Sequence, residues 1–393
     1  MDAIILAAGK GSRMAPLCTQ TPKPMLPLAG RPILEHVLER AAAAGVTKAV
    51  LVVEYLADVI EQRLRVPDGM DVAFVRQGEP RGTGHAVAMA SGHVRGDALV
   101  LMGDSLVATS TLQALANAPG FSVAAAHVDD PASYGALEVA SNRVVRVHEK
   151  SAAPPSDLVN TGMYRVPADV LAATQDLKPS PRGELEFTDL LAGAQVVEAT
   201  GWLDIGNPWQ YLAAHEQNTG ETGGPGMVED GVHIRGSLWV EEGAVVKAGT
   251  YIEGHVHVGK NSIVGPNAYL RGPVQIGTGC KVGAASEIKN SILLDGANAP
   301  HHNYVGDSIL GHGCNLGSGT KLANVKHTPK TIRVDWDGAL LDTGRRKFGA
   351  VIGDHAKTGV NASINPGTIL GVGAMVAAGA VAKGWVAPGA AVS

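Results

Sequence analysis

From residue 228 onward an apolar residue returns at every sixth position: Val228, Ile234, Val240, Val246, Ile252, Val258, Val264, Leu270, Ile276, Val282, Ile288 and Leu294. A glycine often follows, as at Gly259, Gly265, Gly277 and Gly283. This is the hexapeptide signature of a parallel β-helix. Each hexad supplies one short strand and one turn, so three hexads close a triangular coil whose inward aliphatic residues stack on those of the next coil. The step returns at Leu310, Leu316 and Leu322, and again at Ile352, Thr358, Ile364, Leu370 and Val376. Two interruptions stand out. The step from Leu294 to Leu310 is 16 residues where three hexads need 18, which predicts a locally contracted coil, and "PHHNYVGD" at 300–307 falls inside it. Between Leu322 and Ile352 the period dissolves into a polar, basic stretch, read as a loop projecting over about 325–348. Long loops on repeat scaffolds are usually functional.

The first half follows a different pattern. Short β-branched runs, "AIILAA", "KAVLVVE", "DVAFVRQ" and "DALVLMGD", alternate with helical stretches such as "PILEHVLERAAAAG". That alternation predicts a doubly wound, Rossmann-like α/β domain with a mostly parallel sheet over residues 1–218. A glycine-rich break at 219–227 reads as a linker, and the all-β left-handed parallel β-helix then occupies 228–393.

Composition adds little that changes this division. A chain of 393 residues with 45% hydrophobic and 18% charged residues can bury two cores, and its 50 glycines suit many tight turns. A net charge of −5 gives no basic footprint for nucleic acid. Cys18, Cys280 and Cys314 are odd in number and far apart, implying neither a disulfide framework nor a zinc cluster and fitting a reduced, cytoplasmic setting. The apolar run at the amino terminus is too short for a membrane helix and has no basic leader, so no membrane partner is expected.

Candidate chemistry begins at "LAAGKGSRM", residues 6–14. The backbone of Leu6, Ala8, Gly9 and Gly11 can close around phosphate oxygens with few Cβ atoms in the way, and Arg13 adds a charged fork. The same run also suits an ordinary strand-to-helix turn. Lys23, held between prolines in "PKPMLP", sets a cation where a transferring phosphate can be met. Asp104 in "GDS" and Asp204 in "WLDIG" offer two carboxylates to Mg²⁺.

In that order, with "QGEPRGTGHA", "YGAL", "HEK", "NTGMY" and "ELEFTD" between them, these motifs resemble the sugar-1-phosphate nucleotidyltransferases along the whole first half. The resemblance implies that Gln77 reads the imide edge of uracil or thymine, with Gly82 and Thr83 approaching the base by backbone. It implies that Gly135, Glu149, Asn160 and Thr161 hold the sugar, that Lys150 reaches a phosphate, and that Asp104 and Asp204 bind the metal. The expected reaction is attack of a sugar-1-phosphate oxygen on the α-phosphorus of UTP or dTTP, releasing pyrophosphate.

The second half resembles the acetyltransferase part of the bifunctional glucosamine-1-phosphate acetyltransferases and N-acetylglucosamine-1-phosphate uridyltransferases. In that family a histidine precedes Tyr-x-Gly-Asp by three residues, which selects His301 over His302 as the base that relieves an amino sugar of its proton. Arg271 and Lys289 are expected at the sugar phosphate, and Tyr304, Asn315 and Asn324 at the sugar. Ser318 stands near the thioester of acetyl-CoA, where the family usually has alanine. The 325–348 insertion looks like that of archaeal-type relatives, and Lys330, Arg345, Arg346 and Lys347 are its candidate phosphate contacts. The resemblance also implies a homotrimer or a dimer of trimers. A rival reading keeps a glucose-1-phosphate thymidylyl- or uridylyltransferase alone, with the β-helix as scaffold. Glucosamine against galactosamine, and UTP against dTTP, stay open at this level.

Overall fold

The computed structural model describes residues 1–217, 220–336 and 338–393. The backbone forms two compact units. One takes Met1–Lys10, Thr21–Leu26 and Pro32–Asp204; the other takes Gly11–Gln20, Pro27–Arg31 and Ile205–Ser393. The division therefore falls 14 residues before the expected boundary at 218, and the second unit claims two amino-terminal segments as well. The reason is physical. Helix Pro208–Gln217 buries Pro208, Tyr211, Leu212, Ala214 and His215 and packs on strands Tyr269–Ile276 and Glu287–Leu293 of the second unit.

The first unit is built on a nine-stranded sheet. Strands Asp71–Arg76, Lys48–Val53, Asp2–Ala7 and Ala98–Met102 lie side by side and parallel, as their apolar runs predict. Beyond Ala98–Met102 the sheet is mixed, because Leu158–Val166 enters antiparallel and Gly135–Ala140 pairs with Arg143–Glu149 as a hairpin. Ser141 and Asn142 turn that hairpin with φ of 49° and 59°, the two left-handed residues of a tight turn matched to strand twist. The carboxyl ends of the parallel strands lead into the loops at Ala8, Gln77 and Gly103, where open α/β sheets bind ligands.

The second unit is the expected hexapeptide β-helix. Tyr251 pairs with Tyr269 and Tyr269 with Glu287, a register of 18 residues per coil. Val240, Val246, Ile252, Val258, Val264, Leu270, Ile276, Val282 and Ile288 line one continuous apolar core. The contraction is real and falls in two places, one inside the predicted Leu294–Leu310 interval and one just before it. Leu293, not Leu294, carries the core step after Ile288, and Leu310 follows Val305 by five residues in the same way. The coil thus loses one residue twice, at Asn290 and again at Asp307, both on the same corner.

The other two readings of this half are revised too. The glycine-rich 219–227 segment is bonded to the first coil from Gly223 onward, where Gly223 N donates to the Leu238 carbonyl (2.9 Å) and Met227–Val228 pairs with Val245–Val246. Thr219 lies outside the described residues. The 325–348 insertion is a hairpin, Arg333–Trp336 against Ala339–Asp342, laid down on the coil with Ile332, Val334 and Phe348 fully buried. Trp209, Trp336, Phe348 and Trp385 meet there, with ring centroids 5.9–6.4 Å apart. No helix of the described residues is long and apolar enough to cross a membrane.

Candidate active site

In the first unit, Lys23 sits on a short turn between Pro22 and Pro24, nine-tenths buried, and forms an ion pair with Asp104 at the end of strand Ala98–Met102. Gly103 N donates to the Leu6 carbonyl (2.9 Å), tying the Asp104 turn to the strand that feeds the glycine-rich loop. A side chain at Gly103 would meet that carbonyl at 3.0 Å. Asp204 lies opposite Ser105, the residue after Asp104, on the short ladder joining Leu203–Asp204 to Ser105–Leu106. Trp202 supports the ladder by donating Nε1 to Ser105 Oγ (2.9 Å).

Two carboxylates on hard oxygen atoms suit Mg²⁺, which takes one or two protein carboxylates and completes its shell with phosphate oxygens and water. Among the described residues no group of three or more His, Cys, Asp and Glu is gathered to hold a metal ion. The pairing of Asp104 with an ammonium shows that this carboxylate already carries a cation in its surroundings.

Gln77 is buried at the end of strand Asp71–Arg76. Its Nε2 donates to the Gly82 carbonyl (3.2 Å) and faces His85 Nδ1 (3.3 Å). Burial, then the charge of Arg81, lowers the His85 pKa, so a neutral ring can accept there. The donor end of Gln77 is thus committed within the protein, which leaves Oε1 as an acceptor. Gly82 has φ 104° and a Cβ on it would meet the Leu185 carbonyl at 2.5 Å, so only glycine fits. Thr83 opens the helix Thr83–Ser91 and accepts from Phe187 N (3.2 Å).

Across the sheet, Gly135 pairs with Glu149, and a Cβ there would strike Glu149 Oε2 at 2.7 Å. Glu149 in turn pairs with Arg182 (3.7 Å). Asn160 accepts from Gly162 N (2.9 Å) and donates to Tyr164 Oη (2.8 Å), and Thr161 donates to the Ala124 carbonyl (2.8 Å). Lys150 is exposed in a left-handed turn, φ 48°. Gly11 and Arg13 belong to the segment of the second unit, where Gly11 (φ 65°) caps the turn Ser12–Met14 and Arg13 is exposed.

In the second unit, a column of outward residues carries Arg271 beside Lys289 beside Gly306, and a neighbouring column carries Tyr269, Glu287, Tyr304 and Lys321. Arg271 pairs with Glu287 through Nε (2.7 Å), which raises its pKa. Lys289 donates to Asp307 Oδ2 (2.5 Å), and Asn324 donates its amide to the same oxygen. Tyr304 Oη donates to Asn324 Oδ1 (3.3 Å); burial is the largest cause of its raised pKa, with Glu287 next.

Around the corner, His301 ends strand Asn298–His301 with an exposed side chain, its amide bonded to Asn303 Oδ1 (3.0 Å) and its carbonyl to Gly319 N (2.9 Å). Asn303 occupies the buried corner that Thr250, Ala268, Ser286 and Thr320 fill in other coils, and donates to the Gly317 carbonyl (2.8 Å). Ser318 therefore lies one coil beyond His301. Asn315 is exposed on the adjoining strand, stacked on Asn298.

The structure thus brings Lys289, Tyr304 and Asn324 together through Asp307, with Arg271 one coil away. Lys330 is exposed in the insertion, away from these bonds. Arg345 pairs with Glu216 (Nη1 to Oε2, 3.2 Å), and Arg346 donates to the carbonyls of Thr328 and Lys330. Their guanidinium groups brace the insertion. Residues the sequence reading passed over are Asp307, Asn290 and Glu287. The available signal was positional: Asn290 and Asp307 stand on the corner where the earlier coils have Gly236, Gly254 and Gly272.

Comparison with known proteins matches the Nucleotidyl transferase family at residues 2–221, the GMPPB C-terminal domain at 252–337 and the hexapeptide repeat of succinyl-transferase at 349–381. The last agrees with a left-handed β-helix. Methanococcus maripaludis has a "Bifunctional protein GlmU" 40% identical over 390 residues, covering 96% of this chain and 93% of that protein. A "Bifunctional sugar-1-phosphate nucleotidylyltransferase/acetyltransferase" of Sulfurisphaera tokodaii is 34% identical over 395 residues and 97% of both chains. A crystal structure of UDP-glucose pyrophosphorylase complexed with UDP-glucose superposes with a TM-score of 0.51 over 55% of this chain and 97% of its own, at 21% identity, which speaks for the fold of the first half.

Proposed function

We propose, for a chain that belongs to the family of bifunctional GlmU proteins joining a sugar-1-phosphate nucleotidyltransferase to an acetyltransferase, that it N-acetylates an amino sugar-1-phosphate and couples the product to a uridylyl or thymidylyl group. The observation that carries the acetyl-transfer half is the convergence of Lys289, Tyr304 and Asn324 on one corner of the coil, with His301 around it. A scaffold has no use for a lysine and an amide gathered on a buried carboxylate. This favours the bifunctional reading over a β-helix that only assembles subunits.

In acetyl transfer, the amino nitrogen of glucosamine-1-phosphate attacks the thioester carbonyl of acetyl-CoA. His301 takes the proton from that nitrogen, the C–S bond breaks, and coenzyme A leaves as the thiol. Imidazole is suited to the task because its ordinary pKa lies near neutrality. Arg271 and Lys289 meet the sugar phosphate, Tyr304, Asn324 and Asn315 orient the ring, and Ser318 lies toward the thioester.

In nucleotidyl transfer, a phosphate oxygen of the acetylated sugar attacks the α-phosphorus of UTP or dTTP, and the bond to pyrophosphate breaks. Leu6, Ala8, Gly9 and Gly11 offer backbone donors to the triphosphate, Arg13 and Lys23 neutralise charge on it, and Gln77 with Gly82 and Thr83 selects the base. Gly135, Glu149, Lys150, Asn160 and Thr161 hold the sugar phosphate. Mg²⁺, when bound by Asp104 and Asp204, supplies further charge neutralisation at the phosphates. Both substrate sets, and three buried thiols, support a cytoplasmic setting. The three flat faces of the coil support a homotrimer or a dimer of trimers.

The test is thiol release from acetyl-CoA with glucosamine-1-phosphate and, in parallel, galactosamine-1-phosphate, comparing wild type with His301→Ala. Release that depends on the amino sugar and falls at least about 100-fold in the variant is expected. Absence of release with either sugar, while pyrophosphate still appears from UTP or dTTP and glucose-1-phosphate, would leave the scaffold reading standing.

A further inference from the structure

One corner of the β-helix is built on left-handed backbone. Gly236, Gly254 and Gly272 take it in the early coils and Gly367 in a later one, with φ from 76° to 141°. In the two contracted coils the same corner holds Asn290 (φ 47°) and Asp307 (φ 46°), and Gly349 and then Gly367 continue it by backbone bonds from Asp307. An aspartate in this conformation is strained where glycine is not. It is also 2% exposed, and burying a carboxylate is costly unless every oxygen is answered.

Here both oxygens are answered. Oδ1 accepts from Asn290 Nδ2 (2.7 Å); Oδ2 accepts from Lys289 Nζ (2.5 Å) and from the Asn324 amide. Because Asn324 spends its N–H₂ on Asp307, its Oδ1 is turned to the Tyr304 hydroxyl, so the carboxylate fixes which way that amide faces. Gly306 completes the cradle, since a Cβ there would meet Tyr304 Oη at 2.7 Å and Asn324 Nδ2 at 2.8 Å. Asn290 also donates to Glu216 of helix Pro208–Gln217, which Arg345 of the insertion clasps from the other side.

We infer that Asp307 is a positioning residue for acetyl transfer: it holds the Lys289 ammonium and the Asn324 amide, and through Asn324 the Tyr304 hydroxyl, in the arrangement that receives the amino sugar-1-phosphate. This rests on the reading of Lys289, Tyr304 and Asn324 as the sugar site. The carboxylate adds no contact of its own to the sugar. It replaces the mobility of three side chains with one fixed geometry, and displacements of about 1 Å in such groups cost on the order of 100-fold in rate.

The corner itself supplies the test. Asp307→Gly installs the residue that most other coils carry at this corner, relieving the backbone while deleting the carboxylate. Acetyl transfer to glucosamine-1-phosphate is expected to lose about 100-fold in kcat/KM, mainly through KM. Nucleotidyl transfer by the same preparation and its Tm should stay near wild type. In a double-mutant cycle, adding Asn324→Ala to Asp307→Gly should cost little more than either alone. Asp307→Asn, which keeps the shape and loses the charge, should show the same loss if Asp307→Gly folds poorly. Acetyl transfer within about threefold of wild type in the variant that folds, or full additivity with Asn324→Ala, overturns the assignment. If instead Asn324→Ala and Lys289→Ala alone leave acetyl transfer intact, it is the sugar-site reading that fails, and the Asp307 assignment falls with it.

Discussion

His215, on helix Pro208–Gln217, is the perturbation with the clearest magnitude. The ring is 3% exposed and neither nitrogen makes a hydrogen bond of standard geometry among the described residues. Burial pulls its pKa down from 6.5 to about 4, against weaker upward pulls from the Pro273 carbonyl and Glu216. The folded protein therefore holds this ring neutral where the unfolded chain protonates it. Between pH 4 and 6.5 the unfolded state binds more protons, so stability is fully present above that window and is lost as the pH falls through it. A shift of 6.5 to 4 corresponds to about 3 kcal/mol at full extent, of which about 2 kcal/mol is already lost at pH 5. The assay is urea unfolding of wild type and His215→Leu at pH 8, 6 and 5, followed by the fluorescence of the cluster that contains Trp209, Trp336 and Trp385. Leucine does not titrate, so the variant should gain about 2 kcal/mol on wild type between pH 8 and pH 5. A stability difference that stays constant across this range would refute the buried-neutral account.

Two further outcomes are expected. Gly30→Ala should lower stability by about 2–4 kcal/mol, because φ is +83° and the new Cβ would lie 2.3–2.9 Å from three atoms of the His257 ring; thermal unfolding reads the loss, and His257→Ala in the same chain should recover part of it. Lys23→Ala should cut nucleotidyl transfer, followed by pyrophosphate release, by about 100- to 1,000-fold and leave acetyl transfer untouched, since Lys23 belongs with Asp104 in the first unit.

Much of this architecture is written in local pattern. The six-residue step names the inward residues from Val240 to Ile288 one by one, because each coil repeats the same demand for an aliphatic side chain; Val228 and Ile234, at the open end of the helix, keep the count and stay exposed. Where the demand changes, the pattern misleads. Leu294 keeps the six-residue count and is buried, yet the core position belongs to Leu293, since a coil that drops a residue at a corner resets the phase. The order of strands beyond Ala98–Met102 was hidden for another reason: antiparallel strands with one buried face look like parallel ones when the runs are short. Charge alone marks Arg345 and Arg346 as candidate anion ligands; that they bond to Glu216 and to the main chain of Thr328 and Lys330 is something no spacing reveals. Asp307 was visible as a letter of a motif. Its task depends on Lys289 and Asn290 lying one coil before it and Asn324 one coil after, which only the folded register supplies.

The two amino-terminal segments counted with the β-helix bear on how such a protein can be taken apart. Gly11–Gln20 and Pro27–Arg31 flank the Lys23 turn, and both are fastened within the second unit: Thr19 donates to the buried Asp354, Gly30 N donates to Gln275 Oε1 (2.6 Å), and Tyr211 Oη donates to the Pro27 carbonyl. A gene cut after residue 218 would part these loops from Asp354 and Gln275 while leaving their apolar residues, Leu17 and Leu28 among them, in the amino-terminal fragment. The halves are modules of chemistry without being modules of assembly. Shuffling this amino-terminal half onto a foreign β-helix would demand that the new coil bring its own counterparts of Asp354 and Gln275.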